Sequence, residues 1–131
     1  MENDQRKETP VPFKLEERTL LFAKNIRIFV KKIPKNVANF EDSRQLVRLS
    51  GSIGANYIEA NECLGKKDFA MRIRISRKEA KESWFWLDLI DVGNDKELET
   101  ERRRLANETT EFIKIFSSIV NKSVWNGKIK A

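Results

Sequence analysis

The chain of 131 residues contains no histidine and a single cysteine. Without imidazole, a Ser-His-Asp or Cys-His site cannot form within one chain. The Glu-x-x-His pairs that hold a di-iron centre in a helical bundle are excluded for the same reason. Zinc sites draw mainly on cysteine and histidine, and Cys63 alone cannot supply one. No metal, no cofactor and no catalytic residue is therefore expected. A lone cysteine forms no intrachain disulfide, and the N-terminus has no apolar leader segment. Both lead us to expect a cytoplasmic protein. No apolar run reaches membrane-spanning length, so no membrane partner is expected. Five glycines and three prolines give few turns, too few for an all-β chain.

Charge, by contrast, is abundant. Lysine and arginine number 26 against 20 acidic residues, a net charge of +6. Charged residues make up 35% of the chain and apolar residues 40%, the balance of amphipathic helices with solvated faces. The basic excess favours a polyanionic partner, although a soluble surface of mixed sign has the same composition.

Periodicity organises the chain into four helices. Residues 1–14 read as a flexible polar arm, with Pro10 and Pro12 close together. Leu15, Phe22, Ile26, Phe29 and Ile33 then recur at helical steps, until Pro34 stops the run. A second helix is expected to open between Asn36 and Asp42 and to reach about Cys63, with a break at Gly65. A third spans about Lys67 to Val92 and stops at Gly93. Its "AMRIRIS" stretch alternates like a strand but lies inside helical spacing, and is read as helix. In "NDKE", Asn94 is the expected cap of a fourth helix, with Glu97 reaching back. That helix carries Leu98, Leu105, Phe112, Phe116 and Ile119. The economical fold is all-α, an antiparallel up-down-up-down four-helix bundle over residues 15–125, followed by a frayed tail at 126–131.

The second helix contains Gly51 and Gly54. Each interior glycine costs about 0.5–1 kcal/mol relative to alanine, which close approach of another helix can offset. We therefore expect a tight crossing there. A GxxG nucleic-acid clamp would need a sheet that the sequence does not offer. On a helical projection, Gln45, Ser52, Asn56 and Glu59 form a polar strip beside the apolar face. Ser52, Asn56 and Glu59 are expected to fix register through hydrogen bonds, and the third helix offers Arg72, Arg74, Arg77 and Lys78 as cations for Glu59.

The third helix projects two apolar faces. Phe69, Ile73, Ala80, Trp84 and Leu87, with Ser76 and Ser83, are the expected core face. Met71, Ile75, Phe85, Trp86 and Leu89 gather on the other side. A monomeric bundle needs one apolar stripe, so the second suggests self-association, unless the chain ends cover it. Between the faces runs a basic strip of Arg74, Arg77, Lys78 and Lys81. Lys66 and Lys67 precede it, and Arg102, Arg103 and Arg104 follow on the fourth helix. Such a strip suits phosphates, or is simply solvated. With few aromatics among these bases, no base stacking is expected.

Over "SGSIGANYIEANECLGKKDFAMRIRISRKEAKESWFWLDLI" the chain resembles the bacterial four-helix bundle proteins encoded by intervening sequences of 23S ribosomal RNA genes. The likeness extends from about Phe22 to Val120 and is densest over Gln45–Ile90, through Asn56, Glu59, Asp68, Phe69 and "RKEAKES". Many relatives carry a glycine after the glutamate where this chain has Ala60. The resemblance implies a homopentamer of antiparallel four-helix bundles. It also implies kinship with the accessory protein of diversity-generating retroelements, a basic pentamer that binds nucleic acid and a reverse transcriptase.

The expected function is accordingly a non-enzymatic, oligomeric nucleic-acid binder, with RNA or an RNA–DNA hybrid as ligand. A scaffold that docks an acidic or polymerase-type protein is the alternative. A nuclease using Glu59, a metal and Lys78 would need a carboxylate cluster that the sequence does not supply.

Overall fold

The computed structural model describes the backbone from residue 11 to 130 and the side chains from 15 to 122. Four helices follow in order: α1 (Val11–Lys32), α2 (Val37–Glu62), α3 (Lys66–Leu89) and α4 (Lys96–Lys130). Each packs on its neighbours in a ring, α1 on α2, α2 on α3, α3 on α4 and α4 back on α1. Packing is most extensive around α3 and lightest between α1 and α4.

The short connections between successive helices make neighbours antiparallel, as an up-down bundle requires. Helical backbone begins at Val11, inside the arm expected over residues 1–14. A proline at position 12 is no obstacle, because first-turn N–H groups have no helical acceptor. Residues 1–10 lie outside the described residues. At the other end α4 runs on to Lys130, past the expected limit at 125.

Local chemistry explains the boundaries. Asn36 caps α2, its side chain accepting from the Asn39 N–H at 2.8 Å. Helix α3 ends at Leu89, three residues before the expected Val92. Val92 is buried in the connection, where Gly93 adopts φ +69°. The cap of α4 is Asp95, not Asn94. Its carboxylate accepts from the N–H groups of Glu97 (3.0 Å) and Leu98 (3.1 Å), placing a charge at the helix N-terminus.

The core is the predicted one in most positions. Phe22, Phe29, Phe112 and Phe116 are fully buried, and Phe22 meets Phe112 edge to face at 5.5 Å. Helix α3 contributes mostly small inward residues, Ala70, Ser76, Ala80 and Ser83, around Ile73 and Leu87. Small residues let both neighbours approach closely, which accounts for the dense packing on α3. Ser76 Oγ donates to the Ile53 carbonyl of α2 at 2.9 Å, satisfying a buried hydroxyl across that seam.

The two glycines of α2 separate in role. A Cβ on Gly54 would lie 2.7 Å from Thr19 Oγ1 of α1, so Gly54 marks the tight crossing. Among the described residues, a Cβ on Gly51 would meet only the Arg27 guanidinium, at 3.6 Å.

One end of the bundle is pinned by Asn39, a residue sequence reasoning passed over. Its buried amide donates to the carbonyls of Pro34 (2.9 Å) and Asp91 (2.7 Å) and accepts from the Asp91 N–H (3.0 Å). One side chain thus ties the α1–α2 connection to the α3–α4 connection.

Candidate nucleic-acid interface

The expected basic residues divide into groups. Arg74, Lys78 and Lys81 are exposed along the middle of α3, with Arg77 half-buried among them. Arg74 and Lys81 make no ion pair among the described residues. Lys78 pairs with Glu82 at 3.6 Å and reaches Glu79 at 4.0 Å. Arg77 donates to Ser117 Oγ of α4 at 3.3 Å, which fixes it in the α3–α4 seam.

Lys66 and Lys67 are exposed at the first turn of α3, whereas Arg102–Arg104 lie beside its last turn. A helix of 24 residues is about 35 Å long, so these groups sit at opposite ends of the molecule. Arg102 has a different task. Its guanidinium donates to the carbonyls of Leu87, Asp88 and Ile90, the orphan acceptors at the end of α3, and pairs with Glu99. Arg103 also pairs with Glu99, and Arg104 with Glu101. The two arginine bonds hold the Glu99 carboxyl below the ordinary glutamate range.

The polar strip of α2 forms the outer α2–α3 seam. Asn56 accepts from Arg72 of α3 at 3.0 Å and donates to the Ser52 carbonyl at 3.0 Å. Ser52 Oγ donates to the Arg48 carbonyl. The expected register bond is therefore made by Asn56. Glu59 lies one turn further on, exposed, and its carboxylate makes no ion pair among the described residues. The same seam holds Glu79, whose carboxyl burial raises above the ordinary range. Glu82 adds to the shift, while Lys78 and Arg48 oppose it. Lys78 is engaged with acids of its own helix, and no cluster of three or more His, Cys, Asp or Glu residues able to hold a metal occurs among the described residues.

Helix α3 departs from its projection at Trp84. Expected in the core, Trp84 is 46% exposed. The inward side is filled by Ile73, Ser76, Ala80, Ser83 and Leu87, and the indole lies at its edge toward α4. On the second face Met71, Phe85 and Leu89 are exposed as expected. Ile75 is half-buried, and Trp86 packs partly on the core with its ring edge to face on Phe85 at 5.4 Å. The expected interface residues thus do not form one uniform exposed stripe. No helix among the described residues is long and apolar enough to cross a membrane.

Comparison with known proteins agrees with this architecture. Residues 13–118 match the family described as 23S rRNA-intervening sequence protein. The fold is similar to the crystal structure of a protein of unknown function from the S23 ribosomal protein family of Bacteroides thetaiotaomicron. The TM-score is 0.67 at 30% identity, over 80% of this chain and 96% of that one. No curated protein matches the chain. The chain belongs to the 23S rRNA-intervening sequence protein family.

Proposed function

From that membership and the exposed cations of α3, we propose that the chain is a non-enzymatic, oligomeric nucleic-acid-binding protein of the cytoplasm. Its ligand is RNA or an RNA–DNA hybrid, held largely through phosphates. The observation that carries this reading is the exposed stretch of Arg74, Lys78 and Lys81, two of whose three charges have no carboxylate partner among the described residues. Lys67 extends the positive field toward the N-terminus of α3, and Arg103 and Arg104 extend it weakly past the other end. Arg102 is withdrawn from it by its capping role. Repetition of this stretch around a homo-oligomer, the pentamer implied by the family resemblance, would strengthen the field.

Exposed Met71 and Leu89 are the side chains best placed for contact between copies. Met71→Glu with Leu89→Glu should lower the particle mass in light scattering; an unchanged mass removes α3 from the oligomer interface. The same apolar side chains favour a second reading, a scaffold for an acidic or polymerase-type protein such as a reverse transcriptase. Titration of a labelled structured RNA and a matching DNA across a salt series separates the two. Affinity that falls steeply with salt supports phosphate binding, and no binding at low salt leaves the scaffold.

A further inference from the structure

Trp84 and Phe85 are adjacent large aromatics, 46% and 52% exposed. The bundle does not require them there, because Ala80, Ser83 and Leu87 already fill the inward side of α3 at that level. With Lys81, Thr110 and Ile113 they line an open groove of about 550 Å³ between α3 and α4. Lys81 stands one turn before Trp84, Arg77 a turn earlier at the same seam, and Arg74 a further turn back. The nearby acids are few. Glu82 is paired with Lys78, Glu111 with Lys114, and Asp88 is exposed one turn beyond Trp84.

Flat apolar surface beside a row of cations matches a ligand with flat apolar faces and a regular line of negative charge. A duplex offers the phosphates but hides the base faces in its stack, whereas an unpaired strand offers both. A second copy of this groove, facing it, would set cations against cations. We propose that the α3–α4 groove binds an unpaired stretch of nucleic acid, with a base stacked on Trp84 between Phe85 and Ile113 and the adjoining phosphates on Lys81 and Arg74. This rests on the phosphate-binding reading, names its ligand more narrowly, and replaces the expectation of no base stacking, because Trp84 lies beside Lys81 instead of in the core.

The test uses the full chain with a short oligouridine and with a blunt RNA duplex of equal length, followed by anisotropy and by tryptophan fluorescence. The single strand should bind more tightly at equal salt and quench the fluorescence. Trp84→Ala should weaken single-strand binding about five-fold or more, abolish most of the quenching, and leave duplex affinity and helical content unchanged. Trp84→Phe should retain most of the affinity. Equal affinity for strand and duplex, or no effect of Trp84→Ala, overturns the groove assignment while phosphate binding stands. Absence of binding to either RNA at low salt overturns both. A lower particle mass for Trp84→Ala would make the groove a contact between copies and also overturn the assignment.

Discussion

Two seams of the bundle carry open apolar grooves, and they differ in what lines them. Between α1 and α2 the lining is mostly small, Ala23, Gly51, Gly54 and Ala55, flanked by the aliphatic Leu20 and Ile58 and by the charged Glu16, Lys24 and Arg27. Between α3 and α4 it is Trp84, Phe85 and Ile113 beside Lys81. The first groove follows from packing, since Gly54 must be small for α1 to pass over it. The second does not, because nothing in the fold requires a half-exposed tryptophan. Small side chains that packing dictates report on the fold, while flat aromatic groups left in water next to unpaired cations suit a ligand with flat faces of its own.

The largest expected effect tests the packed seam. Gly54→Ala should destabilise by about 1–2 kcal/mol, because overpacking against the buried Thr19 exceeds the gain in helix propensity. Gly51→Ala, with only a flexible guanidinium to displace, should instead stabilise by about 0.5–1 kcal/mol. Denaturant melts of both would break the comparison if the two changes moved stability in the same direction.

Glu79 should give a smaller, pH-dependent effect. Its folded carboxyl holds a proton more tightly than the unfolded one. Stability therefore falls as pH rises from the ordinary glutamate range through the folded value, and the penalty persists at neutral pH. Glu79 Oε1 is also buried without a hydrogen-bond partner among the described residues. Glu79→Gln should raise the melting temperature at neutral pH, and the gain should vanish below about pH 4. Glu99 acts in the opposite sense. Its folded value is lowered by Arg102 and Arg103, so its stabilisation is present above the ordinary range and lost as pH falls through the folded value. The open seam is read in binding more than in stability. Trp84→Ala removes an indole that is about half buried and should cost about 1 kcal/mol or somewhat more, while weakening single-strand binding.

Much of this was legible in the sequence. Helical spacing located the four elements and nearly all of the core, and Gly54 announced its crossing. Three features were not legible, each because it depends on a partner distant in the chain. Asn39 reads as an ordinary residue of a helix start until the α3–α4 connection brings Asp91 to it. Arg102 reads as one of three basic residues until the end of α3 presents its carbonyls. Trp84 lies close enough to the core face in projection to be counted within it. Only the actual position of α4 leaves it at the edge, and with it the aromatic component of the candidate site.

The central claim is that the outward stretch of α3 is the nucleic-acid surface. The most direct test compares the salt dependence of RNA affinity for the wild type and for Arg74→Ala/Lys78→Ala/Lys81→Ala. Loss of three phosphate contacts should weaken binding at low salt and reduce the slope of log affinity against log salt by about 2 for a single strand. An unchanged affinity and slope would contradict the account and return this stretch to ordinary solvated surface.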